Sequence, residues 1–384
     1  MSHTEFDIIV VGAGMAGASV AAELAAERKV LLLEREDQPG YHATGRSAAL
    51  FSEIYGSAPV RALSRASRPF LNTPPEGFTT GHLLTPRSTL FIATAAQAEA
   101  FDVMKKQPDI AANTRWVSPQ DAEAMVPILR GNELIGALIE DASADIDVHG
   151  LHQGYLKLFR ARGGVLQTGA DVTAISRTAD VWQVTTNAGE FSGTALVNAA
   201  GAWADHIGVL AGGREIGLMP KRRTAILVDP PAGVDPAAWP MVMDVDEGFY
   251  FKPDAGMLLV SPCDETESVA CDAQPEELDI AIAVDRVMTA TTLNVRRVAH
   301  SWAGLRSFVA DRTPVAGFDP TLPAFFWLAG QGGYGIQTAP ALAALSSGLI
   351  LNGKMPAWLA EYGISETALT PTRLWGNGGL SRSA

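Results

Sequence analysis

Between Phe6 and Glu34 the chain runs from an apolar stretch ending at Val11, through Gly12, Gly14 and Gly17 in G-x-G-x-x-G spacing, into an alanine-rich segment and a second apolar run that closes on an acid. The pattern predicts a strand, a glycine turn, a helix and a parallel second strand, in the order that binds a dinucleotide. Gly12 lets the chain turn sharply, Gly14 removes the Cβ that would meet a pyrophosphate, and Gly17 lets the helix lie close on the sheet. The free N–H groups at the helix start favour an anion. Glu34, at the end of the second strand, is placed to accept hydrogen bonds from ribose hydroxyls, and its charge disfavours a 2′-phosphate. The fingerprint alone leaves NAD and FAD both open.

A chain of 384 residues, 47% of them hydrophobic, is long enough for two or three structural units around a large core. Its 29 basic and 42 acidic side chains leave a net charge of −13. A broad affinity for nucleic acid or an anionic membrane is therefore not expected, and an anionic substrate needs a local cationic site. Cys263 and Cys271 lack the spacing partners of a zinc site and read as free thiols. His149 and His152 lie three apart on an expected helix with no third ligand evident, so they read as a surface face and no metal is expected. Residues Met1 to Glu5 show no basic region before an apolar core, and no run approaches a membrane span. The expectation is a cytoplasmic protein without a membrane span.

Along the chain, Thr44 to Tyr55 reads as a small-residue loop feeding a short helix, with room for a flat ligand. His82 to Ala93 reads as strand, Ala95 to Lys106 and Ser118 to Met125 as helices, and Asp147 to Arg162 as a helix ended by Gly163 and Gly164. Short strands follow from Val165 to Val197, closing on Asn198, Ala199, Ala200 and Gly201, a second place for a nucleotide to pack on backbone. Lys221 to Pro262 is strand-like, Glu276 to Thr291 helical, and Phe325 to Ala329 a strand. A glycine-rich stretch from Gly330 to Gly335 then leads into an apolar helix from Ile336 to Leu351. The fold class expected is α/β: a Rossmann-like domain from residues 1–80, 144–213 and 301–384, interleaved with a β-rich substrate domain of mixed sheet and helices from 81–143 and 214–300.

The stretches GAGMAGAS, EREDQPGYHATGRSAA, DIDVHGLHQGYL, VNAAGAWAD, PKRR, FYFKPDAGMLL, SWAGLRSFVADRTPVAGF and GQGGYGIQTAP together resemble the D-amino-acid oxidase and dehydrogenase superfamily of flavoenzymes, with the bacterial D-arginine dehydrogenases as the nearest match. The resemblance covers nearly the whole chain and implies FAD as cofactor. It implies a cofactor-binding set of Gly12, Gly14, Gly17, Glu34, Arg35, Ser47, Ala48, Val172, Gly201, Gly333, Gly335, Ile336 and Thr338. Gly333 and Gly335 are expected to open the last helix, whose N-terminus would face the pyrimidine edge of the isoalloxazine and stabilise the charge of the reduced ring.

For the substrate, the resemblance implies that Arg223 and Arg306 hold an α-carboxylate, helped by the phenols of Tyr55 and Tyr250. A planar guanidinium fork suits a carboxylate. Arg222, its neighbour on the strand, should face the other way and be solvated. The implied chemistry is hydride removal from Cα to flavin N5, giving an imino acid that water converts to a 2-oxo acid and ammonia. Positioning and electrostatics supply the rate, and no catalytic histidine is needed. The side-chain pocket is expected at Leu50, Ser52, Thr89 and Gln337, with Ser52 and Tyr55 on a mobile segment. Where the D-arginine enzymes place a histidine and a glutamate, this chain has Leu50 and Thr89. A guanidinium buried there without an anion would be costly, so a neutral, hydrophobic or aromatic side chain is expected. The electron acceptor expected is a quinone or another carrier. A flavoenzyme acting on a secondary amine, a glycine derivative or a 2-hydroxy acid, and a non-catalytic flavin-binding assembly protein, stand as alternatives.

Overall fold

The first strand, Thr4–Val11, is buried on both faces over its second half, from Ile8 to Val11, with Ile9 and Val10 fully inaccessible. Such a strand belongs in the middle of a parallel sheet covered by other layers, and it lies there. The computed structural model describes residues 4–375. Residues 1–3 and 376–384, which end the outer segments of the expected cofactor domain, lie outside the described residues.

In the first sheet, Phe325–Ala329, Gly189–Asn198, Thr4–Val11, Val30–Leu33 and Val165–Gln167 run parallel in that order. The early half of Gly189–Asn198 also continues into an antiparallel meander with Val181–Thr186 and Val172–Thr178, and Val315–Phe318 pairs with Phe325–Ala329. One face packs on the helices Met15–Leu24, Val148–Ala161 and Ala339–Asn352. The other covers Trp182, Trp327 and the helix Ala204–Leu210.

Close packing of the first helix depends on a missing side chain. A Cβ on Gly17 would stand 1.8 Å from the Gly12 carbonyl oxygen, so helix and turn touch backbone to backbone.

A second sheet is antiparallel except where Met241–Asp244 runs beside Thr89–Thr94. It is ordered Thr266–Glu267, Met219–Val228, Met257–Ser261, Tyr250–Asp254, Met241–Asp244, Thr89–Thr94, Leu134–Glu140 and Arg115–Val117, and Val298–Phe308 pairs along Met219–Val228. Its residues alternate between two cores. Leu90 and Ile92 pack with Ala283 and Val287 of the helix Glu277–Ala290, whereas Phe91 and Ala93 join Tyr250, Met241 and Met243 on the opposite face. That is the two-residue period of a sheet covered on both sides. Leu50–Phe51, Ala144–Ile146 and Leu84–Pro86 form a small third sheet.

Several expectations change. Thr44 to Tyr55 contains turns and the two-residue strand but no helix. The helix comes later, at Ala58–Asn72, started by Ser57 and Pro59, and the sequence reading omitted it. The last helix begins at Ala339 rather than Ile336, because Pro340 fits the first turn and Thr338 stands at the N-cap. Gly333 and Gly335 therefore lie in the turn ahead of the helix. His152 is not on a surface face: it is 4% exposed, and its Nε2 donates to the Ala13 carbonyl at 2.9 Å, tying the helix Val148–Ala161 to the glycine turn. Its neighbour His149 is exposed. Both cysteines are free thiols.

Candidate active site

The parallel strands of the first sheet end on one side, and their carboxyl ends open into a single cleft. Gly12 follows Val11, Glu34 follows Leu33, Gly201 follows Asn198 by three residues, and Gly330 follows Ala329; all four line that cleft. Open α/β sheets bind ligands at this edge, where the strand order reverses. Gly12 sits at φ +98°, and a Cβ there would stand 2.5 Å from the Ala199 carbonyl oxygen, so the turn excludes any side chain. Glu34 is 7% exposed; its oxygens accept from Ala13 N at 2.9 Å and Glu36 N at 3.0 Å. Burial raises its pKa, against the pull of these bonds. Each oxygen keeps a lone pair for a sugar hydroxyl.

Of the remaining residues expected at the cofactor, Gly14, Arg35, Ser47, Ala48, Val172, Gly333, Gly335 and Ile336 line the same cleft. Gly17 acts beneath it as packing. Thr338 is fully buried, and its hydroxyl donates to the Tyr334 carbonyl at 2.8 Å, so it holds the glycine turn from behind. The roof was less visible in the sequence. Met15 N donates to Thr44 Oγ1 at 2.9 Å, the Arg35 guanidinium lies 4.8 Å from the Trp203 ring centre, and Arg46 donates to the Ala273 and Ala303 carbonyls and pairs with Asp272. Arg46 thus ties the segment 40–48 to the second sheet at Ala303, and Thr44 ties it to the first helix at Met15.

The opposite wall is made by the second sheet. Lys221 lies directly across from Arg306, and Arg223 across from Gly304. Residues two apart on a strand share a face, so Arg223 and Arg306 are diagonal neighbours on one surface. With Tyr250 they line the cleft. Arg222 faces away, as expected, but is not solvated. It is 9% exposed and ion-paired with Asp279 and Glu276, anchoring the sheet to the helix Glu277–Ala290.

Arg223 is 7% exposed. Its Nε donates to the Asp264 carbonyl at 2.8 Å, and Nη2 stands 3.5 Å from Glu265. Its Nη1 is buried without a partner. Glu265 also takes both Nη atoms of Arg312; those bonds first, and then nearby Arg223 and Lys221, hold its pKa down at about 2. A fixed carboxylate thus grips one side of the Arg223 fork and leaves the other unsatisfied at the cleft. Gln331, which also lines the cleft, has a buried unpartnered Nε2. Unpaired buried donors are rare and call for an acceptor.

Tyr55 packs edge-on against Tyr334, with ring centres 5.1 Å apart, and its hydroxyl donates to Glu247 at 3.1 Å. Glu247 is held in the left-handed region, φ 53°, on the turn before Tyr250. Neither Glu247 nor Tyr334 was singled out from the sequence; only the GQGGYG stretch hinted at the second. Burial first, only partly offset by Arg306, pushes the phenol of Tyr55 well up and that of Tyr250 up, so both remain neutral. Burial likewise pushes the Cys263 thiol to about 11.

The expected side-chain pocket is only partly assembled. Leu50 packs on the cluster of Ile54, Phe91, Met243 and Tyr250. Thr89 is 1% exposed and bonded to Ser143 Oγ, so it sits behind the wall. Ser52 and Gln337 are also buried and spend their polar groups on Glu140, Ser64 and each other. Among the described residues, no group of three or more His, Cys, Asp or Glu could hold a metal ion, and no helix is long and apolar enough to cross a membrane.

Residues 7–349 match the family model described as DAO, FAD dependent oxidoreductase. The chain is 24% identical over 389 residues to glycine oxidase of Geobacillus kaustophilus, covering 95% of this chain and 98% of that one. It is 22% identical to mitochondrial dimethylglycine dehydrogenase of Mus musculus, over 92% of this chain but only 43% of the length of that enzyme. L-proline dehydrogenase from P. horikoshii shares the fold, with a TM-score of 0.81 and 21% identity over 97% of this chain and 98% of that one.

Proposed function

This chain belongs to the DAO family of FAD-dependent oxidoreductases, and on that premise we propose that it oxidises the Cα–N bond of an amino acid whose carboxylate is held by Arg223 and Arg306. The substrate we favour is a D-amino acid with a neutral or apolar side chain. One observation carries the reading: Arg223 Nη1, buried without a partner on the cleft wall, beside a second arginine on the same sheet face. An unpaired buried donor of this kind is expensive until an anion fills it. A flavin-binding scaffold has no use for one.

The glycine turn, Glu34 and the 40–48 roof fit FAD, since the cleft runs from the strand ends to the arginine wall. When bound, FAD supplies the acceptor for the hydride that leaves Cα. The chain's own residues orient and select. The two guanidinium groups hold the carboxylate through charge-assisted bonds worth about 1.5–3 kcal/mol each. The neutral phenol of Tyr250, on the cleft wall, adds a donor without adding charge, and that of Tyr55 does so once it turns from Glu247. No side chain need take a proton from carbon, so a substrate amine that enters unprotonated suffices; water then converts the imino acid to a 2-oxo acid and ammonia. The apolar cluster around Leu50, Ile54 and Met243 supports a neutral side chain.

A second reading has a specific support. The relatives include enzymes named for dimethylglycine and L-proline, so a secondary or tertiary amine held by the same carboxylate grip is the rival substrate. The finer likeness to D-arginine dehydrogenases, the cytoplasmic location and a quinone-type electron acceptor belong to this proposal too. Anaerobic mixing of the yellow holoprotein with D-alanine, D-methionine, D-phenylalanine, D-arginine, glycine, sarcosine and L-proline decides the matter. Bleaching fastest with D-methionine or D-phenylalanine supports the reading, bleaching only with sarcosine or proline replaces it with the rival, and a clear preference for D-arginine refutes the neutral pocket.

A further inference from the structure

We propose that Glu140 is a positioning residue, which sets the place of the Leu50–Tyr55 segment, and so of the Tyr55 phenol, through a buried hydrogen-bond chain that also reaches the glycine turn. The inference rests on the reading of Tyr55 and Arg306 as substrate-facing. It gives a role to a carboxyl group that touches neither the cleft nor any group of the proposed chemistry.

Glu140 ends the strand Leu134–Glu140 and is wholly inaccessible. One carboxylate oxygen accepts from Ser52 Oγ at 2.6 Å, and the other from Glu53 N at 2.9 Å. Ser52 N in turn donates to Gln337 Oε1 at 3.0 Å, and Gln337 Nε2 donates to Ser64 Oγ at 2.7 Å. Ser52 Oγ also accepts, weakly, from Ile54 N at 3.4 Å. The chain of bonds therefore joins the second sheet to the Tyr55 segment on one side and to the residue following Ile336 on the other. Tyr55 lies three residues past Ser52, where the backbone has no helix or long strand to fix it. The inward donors Ser52 N, Ser52 Oγ and Glu53 N all end on Gln337 or Glu140.

The charge state of this carboxyl decides the geometry. As a carboxylate it accepts from both Ser52 and Glu53, as observed. Once protonated, one oxygen becomes a donor: the Glu53 N–H cannot reverse, so the Ser52 hydroxyl must turn and find another acceptor. Burial pushes the group up to about 7, against the bonds from Ser52 and Glu53. The charged groups around it are Glu53 itself, Arg68 of the helix Ala58–Asn72, which donates to Glu53 and to the Ala142 carbonyl, and the Asp145 cluster with Arg87 and Lys252 two residues beyond Ser143. Arg68 offsets only part of the repulsion from Glu53. The segment is consequently held most firmly above neutrality and loosened below it.

The test uses the FAD-loaded protein and benzoate, a carboxylate that remains ionised throughout the range and is read by perturbation of the flavin absorbance without turnover. Wild-type affinity is expected to fall about five- to tenfold between about pH 8 and about pH 6, the equivalent of one ordinary hydrogen bond. Glu140→Gln is expected to bind weakly and without that pH dependence. Ser52→Ala, which leaves the carboxyl in place and guards against a folding failure of the first variant, is expected to lose most of the dependence as well, and the double variant to bind no more weakly than either single one. A flat wild-type profile, or a wild-type pH response retained in Glu140→Gln or Ser52→Ala, would overturn the proposal. Arg306→Met separates the two readings: lost benzoate binding there leaves the clamp standing whatever Glu140 does, whereas unchanged binding overturns the clamp itself.

Discussion

The two walls of the cleft are built on different principles. The wall under the nucleotide is made of backbone: strand ends, a glycine turn at φ +98° and a helix that touches that turn because Gly17 has no side chain. The wall facing it is made of side chains, brought together from strands whose partners lie about 80 residues apart, as with Arg223 and Arg306. A backbone wall tolerates almost no added atom but is indifferent to most side chains around it. A side-chain wall tolerates backbone variation but fails when one guanidinium is removed. Changes to the first should act on folding and FAD retention together, and changes to the second on substrate alone.

The contrast is broken most directly by Arg306→Met, expected to lower kcat/KM about 100- to 10,000-fold while the protein stays yellow, since two charge-assisted bonds are lost. Release of FAD by this variant would mean that the walls are not independent. Gly17→Ala tests the other side: a Cβ 1.8 Å from a backbone oxygen should lower stability by about 3 kcal/mol and strip FAD, read by thermal unfolding and flavin content. Arg222→Met sharpens the comparison within one strand. It leaves Asp279, 6% exposed, without its partner and should lower stability by about 3 kcal/mol, yet leave KM unchanged, because this arginine faces the helix and not the cleft. Smallest is Thr89→Val, expected to remove about 1 kcal/mol of stability through the Ser143 bond and to leave substrate preference as it was. A changed preference would restore Thr89 to the pocket wall.

The same difference explains what the sequence made legible. Backbone features leave local signatures, so Gly12, Gly14, Gly17 and Glu34, the helix Val148–Ala161 and the strand Phe325–Ala329 were readable from spacing and apolar runs. Side-chain walls leave none: Arg223 and Arg306 were reachable only through a resemblance, since the register that makes them neighbours is a property of the paired strands. The errors have the same origin. Strand alternation turns Arg222 the right way but says nothing of what covers that face, and the helix Glu277–Ala290 covers it; Thr89 rests on the resemblance alone, which carries no information on its burial. His152 read as surface because its acceptor, the Ala13 carbonyl, lies 139 residues away. The omitted helix Ala58–Asn72 carries Pro69 within it, and a proline there argues locally against a helix that packing nevertheless sustains.

A crystal structure of the FAD-loaded protein with a bound non-reacting carboxylate, such as benzoate, tests the central claim most directly. The carboxylate is expected between Arg223 and Arg306, with Arg223 Nη1 donating to one of its oxygens and the nucleotide lying along the glycine turn. A carboxylate bound elsewhere, with Arg223 Nη1 still unpartnered, would contradict it.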